Sequence, residues 1–101
     1  MRKITEEASQ AFLNHKFYKN KNTEIKVSDD VTTFLLHNNP IAFLYKNGDL
    51  FIQTCGQNTM TTRNRLNSIL PNLNLIRQFR KNLFLNSNFW DGKLIKINYE
   101  R

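Results

Sequence analysis

Apolar and polar positions alternate along this chain in two rhythms. Near the N-terminus, Ala8, Ala11, Phe12 and His15 recur at helical spacing, the stripe expected of an amphipathic helix. The pattern predicts a helix over Thr5 to His15. Thr5 would cap it, with Glu6 and Glu7 in the first turn, where the helix dipole favours carboxylates. After a basic connector, Lys16 to Asn22, the rhythm shifts to a period of two. Thr23 to Val27 sets Ile25 and Val27 on one face, as in a half-buried strand. Ser28-Asp29-Asp30 turns the chain into Val31 to His37, which is β-branched and aromatic. Asn38-Asn39-Pro40 turns it again into Ile41 to Tyr45. Lys46-Asn47-Gly48-Asp49 is a hairpin signal, and Leu50 to Thr54 returns from it. These segments predict an antiparallel meander that covers a core on one face.

A second helix is predicted over Thr62 to Leu70, capped by Thr61 or Thr62 and stopped by Pro71. Leu66, Ile69 and Leu70 would form its buried side, with Arg63 and Arg65 projecting elsewhere. Leu73 to Arg80 and Leu83 to Leu85 read as strands about a Lys81-Asn82 turn. Asn86 to Gly92 carries turn signals around Phe89-Trp90. Lys93 to Tyr99 alternates as a last strand. The expected fold is α+β, a single domain with two short helices and an antiparallel sheet of about six to seven short strands.

Composition narrows the function classes. A chain of 101 residues, 40% hydrophobic with eight Phe, can bury one core but has little room for a deep catalytic cleft as well. Fifteen Lys and Arg against eight Asp and Glu give a net charge of +7. That surplus attracts phosphates, anionic lipid or an acidic protein face, and has the wrong sign for a nucleic-acid mimic. Cys55 is the sole cysteine, so neither an intrachain disulfide nor a thiolate zinc set is available, and a reducing compartment is expected. The first residues lack the apolar run of a signal peptide, and no segment approaches a membrane span. A cytosolic protein without membrane contact is expected. Asn is abundant while Gly is scarce, so Asn is expected to do the turn work of glycine.

The search for catalytic chemistry yields little. His15 and His37 are the only histidines. His37 and Cys55 both end predicted strands, but a polar strand end and a small buried thiol are the simpler readings. Glu6, Glu7, Asp29, Asp30, Asp49 and Asp91 all have local capping or turn roles, which leaves few acids for a metal cage or a hydrolytic pair. Gly48, Gly56 and Gly92 are too scattered for a phosphate loop. No cofactor and no enzymatic activity are expected.

Basic residues remain. Arg63 and Arg65 open the second predicted helix, where backbone N–H groups and Thr61 or Thr62 would help hold an anion. Arg77, Arg80 and Lys81 crowd the following hairpin. Lys16, Lys19 and Lys21 surround Phe17 and Tyr18, a mixture that suits single-stranded nucleic acid if the rings are exposed and solvated lysines over a core Phe17 if they are not. Phe84, Phe89, Trp90 and Tyr99 crowd the C-terminal part. Such a cluster is usually core, and an exposed Trp90 would instead anchor a protein interface.

Met1-Arg2-Lys3-Ile4-Thr5, Asn22 to Val27 and Leu36 to Ala42 are distinctive as strings. So are Thr61-Thr62-Arg63-Asn64-Arg65-Leu66-Asn67 and Trp90-Asp91-Gly92. Together they resemble a family of small accessory proteins of tailed phages across nearly the whole chain. Asn39 and Ser87 stand where such proteins often carry Gly. The resemblance implies a phage origin. By association with other small phage proteins, it also implies an antagonist of host defence such as an anti-CRISPR protein, acting in the host cytoplasm on a defence protein or its RNA. A single-strand or RNA binder for phage replication is the alternative. A self-associating particle protein and an enzyme rank below both.

Overall fold

The computed structural model describes residues 2–57, 59–70 and 76–97. The first helix, α1 (Arg2–Leu13), starts three residues before the predicted cap. Thr5 therefore lies inside it, and Glu6 and Glu7 fall outside its first turn. Ala8 and Phe12 are its fully buried residues. It ends in a Schellman motif. Lys16 N–H bonds Ala11 O, His15 N–H bonds Phe12 O, and His15 takes the left-handed position with φ 57°. The predicted connector contains a short strand, β1 (Tyr18–Asn20). β2 (Thr23–Val27), β3 (Val31–Leu36), β4 (Asn39–Tyr45) and β5 (Leu50–Ile52) follow as the predicted meander.

Two turns differ from expectation: Arg80-Lys81, and not Lys81-Asn82, connects β6 (Ile76–Phe79) to β7 (Asn82–Leu85), and the β3–β4 turn is also shifted. His37 and Asn38, both left-handed, connect β3 to β4, so Asn39 and Pro40 are strand residues. A bulge in β4 lets the register slip between Phe34 and Leu35. It buries Ile41 and Ala42 consecutively, which strict alternation forbids.

The second helix, α2 (Met60–Asn67), is capped by Thr59 and not by Thr61 or Thr62. Thr59 Oγ1 accepts Thr62 N–H at 3.1 Å. The Pro71 stop and the start of the strand predicted from Leu73 lie outside the described residues, as does Tyr99. β6 (Ile76–Phe79), β7 (Asn82–Leu85), β8 (Asn88–Trp90) and β9 (Ile95–Ile97) complete the order. The described residues thus form an α+β fold with two helices and nine strands, more than the expected six to seven, in two antiparallel sheets. The larger runs β1-β2-β3-β4-β5-β9 and the smaller β6-β7-β8. Among the described residues, no helix is long and apolar enough to cross a membrane.

Both helices pack on the same face of the larger sheet. The Phe12 and Phe34 rings meet there, centroids 5.5 Å apart. Ile76, Leu83, Leu85 and Trp90 of the smaller sheet join Phe12, Phe34, Ile52 and Leu66 in one buried cluster. Two joints hold the backbone at the ends of the smaller sheet. The Asn67 side chain accepts Ile76 N–H at 2.7 Å and donates to Ile76 O at 3.1 Å, as a neighbouring strand would. Thr54 N–H bonds Gly92 O at 2.9 Å.

Candidate nucleic-acid interface

Side chains on a strand alternate between faces, so register decides which residues of the smaller sheet point outward. Ile76 pairs with Leu85, and Leu83 with Trp90; all four are buried. The intervening row is Arg77–Phe84–Phe89, running across all three strands. Phe79 pairs with Asn82 in the next outward row. Phe79 and Phe89 are 62% and 66% exposed, which makes them poor candidates for core packing. Phe84 is half-buried and meets Phe89 edge to face, centroids 6.4 Å apart.

Cations surround these rings. Arg77 sits in the aromatic row itself. Arg80 and Lys81 form the β6–β7 turn, and the Arg80 guanidinium lies over the Phe79 ring at 5.2 Å from its centroid, a cation–π arrangement. Among the described residues, no ion pair engages Arg77, Arg80 or Lys81. Rings and cations interleaved on one open sheet face can stack bases while meeting phosphates.

Other sequence-predicted residues lie elsewhere. Arg63 is half-buried and donates to Gln78 Oε1 at 2.6 Å, tying α2 to the edge strand of the smaller sheet. Arg65 does not reach the surface, being only 3% exposed. Its guanidinium donates to Thr23 Oγ1 at 3.3 Å and to Thr5 Oγ1, so α1, β2 and α2 meet on it. Burial lowers its pKa below the usual arginine value. The anion site expected at the start of α2 is therefore not assembled: Arg65 turns inward, and Thr62 is buried against its cap.

Lys19 and Lys21 lie on β1 and its turn, at the edge of the larger sheet opposite β9. Phe17 beside them is exposed, so it does not pack in the core. Tyr18 leans back to donate to Glu7 at 2.9 Å, and burial raises its pKa. Trp90 is buried, with its indole N–H donated to Lys93 O at 3.0 Å. It cannot anchor a partner from there, and its neighbour Phe89 occupies the outward position. Sequence reasoning missed Phe79, Phe84 and Phe89 as a surface. Strand parity alone could have grouped them, once Trp90 was taken as core.

Cys55 and His37 each bond elsewhere. Cys55 is exposed and not the buried thiol expected from the sequence; its thiol donates to Pro40 O at 2.8 Å, and partial desolvation raises its pKa, which disfavours the thiolate. His37 Nε2 lies 3.4 Å from the Asn22 amide. Among the described residues, no group of three or more His, Cys, Asp or Glu side chains is gathered as a metal site would need.

No curated protein and no solved structure matches this chain. A family of phage proteins does, described as Kyanoviridae Gp96 protein, and the match runs over residues 1–98. With nearly its whole length matched, the chain belongs to the Kyanoviridae Gp96 family.

Proposed function

We propose that this phage protein acts by binding single-stranded nucleic acid, without catalysis, on the outer face of the β6-β7-β8 sheet. Bases stack on Phe79, Phe84 and Phe89 while phosphates meet Arg77, Arg80 and Lys81. The observation that carries the reading is the outward Arg77–Phe84–Phe89 row beside Phe79 and the Arg80-Lys81 turn. A folded protein that leaves two phenylalanine rings open beside cations that form no ion pair among the described residues sacrifices burial that packing would reward. Stacked bases would restore it.

Binding of a fluorescent single strand, followed by anisotropy across a salt series, tests this. Each neutralised phosphate contributes about 0.7 to the slope of log K against log salt on single strands. Replacing Arg77, Arg80 and Lys81 by Ala together should flatten the slope by about two. Phe89→Ala should cost about 1–3 kcal/mol of affinity. An unchanged slope in the triple variant would remove this face from the site. In an infected cell, the strand would belong to a host defence machine, such as the guide RNA of a CRISPR effector, or to phage replication. Pull-down before and after ribonuclease separates the two: an effector recovered with its RNA supports antagonism, and phage single strands support replication.

A further inference from the structure

We infer that a cleft beside this face reads one base of the bound strand and selects guanine; the inference rests on the stacking role proposed above. The cleft has a volume of about 300 Å³, at the lower end of the range for small-ligand sites. It lies at the end of the smaller sheet where β6 turns into β7 and β8 departs. Leu83 and Trp90 supply its apolar lining, and Lys81, Asn82 and Asp91 its polar groups. Phe89 borders both the cleft and the aromatic row. A strand stacked on Phe84 and Phe89 therefore delivers its next base to this opening.

The opposite wall is fixed. Thr54 lines it, and Thr54 N–H bonds Gly92 O at 2.9 Å. A Cβ on Gly92 would come within 2.5 Å of Thr54 Oγ1, so the glycine permits this close approach. A wall held in this way is organised before any ligand arrives.

Asp91 decides the chemistry. A carboxylate beside cations that bind phosphate works against general affinity, because it repels the backbone. Oδ1 accepts Lys93 N–H at 3.0 Å, which holds the group at the cleft. A carboxylate only accepts hydrogen bonds. Guanine carries two adjacent donors, N1–H and the N2 amino group, that match its two oxygens, and guanine O6 then faces the donors of Asn82 or Lys81. Adenine, cytosine and uracil each set an acceptor next to their donor, and that acceptor would meet the carboxylate.

Anisotropy with the full chain tests this, using an oligouridine strand and the same strand with one guanine or one adenine. Guanine should tighten binding roughly tenfold, and adenine should not. Asp91→Asn keeps an acceptor for Lys93 N–H, so the loop persists, but it should erase the guanine preference. Equal affinity for all three strands would overturn the base-reading cleft and leave the stacking role standing. Equal gains from guanine and adenine, or a preference that survives Asp91→Asn, would overturn readout by the carboxylate. Failure to bind any of the strands would overturn both proposals.

Discussion

Arg65 shows how a cation can be spent on structure. Among the described residues it has no carboxylate partner, and the hydroxyls of Thr23 and Thr5 accept its donors. Removing it leaves a void among α1, β2 and α2 and takes a donor away from the buried Thr23 hydroxyl. Arg65→Ala should therefore cost about 2–4 kcal/mol of stability, seen as a lower urea midpoint. The same variant should leave the salt slope of nucleic-acid binding unchanged, because the guanidinium never meets a phosphate. Gly92 is a second position where one atom decides. It combines φ +85° with the close approach of Thr54 Oγ1, so Gly92→Ala carries both backbone strain and a clash. A loss of about 2–3 kcal/mol is expected in urea unfolding. Adding Thr54→Ala should recover the part due to the clash and not the part due to φ, a non-additivity that a double-mutant cycle reads directly.

Three hairpin turns have two left-handed residues each: His37-Asn38, Arg80-Lys81 and Asn86-Ser87. This matches the type I′ geometry, which favours Asn and Gly. Arg80 and Lys81 are poor choices for it, with φ of 51° and 70°, and strained residues of this kind concentrate at functional sites. Replacing the pair by Asn-Gly should raise stability by about 1–2 kcal/mol and the thermal midpoint by several degrees. It should also weaken single-strand binding, since two phosphate contacts are lost. A variant both more stable and equally tight would mean that the turn is not part of the interface. The same turns mark the limit of reading elements from sequence. The β2 to β5 meander was legible from alternation and from Asn47-Gly48. The His37-Asn38 and Arg80-Lys81 turns were expected one residue too late, because the nearby Asn residues signal left-handed backbone while His, Arg and Lys do not. The strand β1 was hidden among lysines, which a solvent-exposed edge tolerates and which weaken any propensity signal. The outward aromatic row depends on parity. Once Trp90 is inside, Phe89 must be outside, but sequence alone does not fix that register.

For the whole molecule, charge and core have separate layouts. The surplus of +7 is not gathered in one place: Arg77, Arg80 and Lys81 share the smaller sheet, Lys19 and Lys21 sit on the far edge strand of the larger and its turn, and Arg65 is interior. Composition could give the total but not this division, because burial of an arginine depends on partners distant in sequence. Apolar residues behave differently. Ile76, Leu83, Leu85 and Trp90 from one sheet and Phe34, Ala42 and Ile52 from the other share a single buried cluster. A shared core makes the two sheets interdependent, since the smaller exposes Ile76, Leu83, Leu85 and Trp90 to water if it undocks. Trp90 lies in that core and is the single tryptophan, so its fluorescence reports the smaller sheet, whereas far-UV dichroism weights the larger sheet and the helices. The two signals should give one coincident urea transition. An earlier fluorescence midpoint would mean that the smaller sheet opens by itself and that the stacking face is carried on a separate cooperative unit.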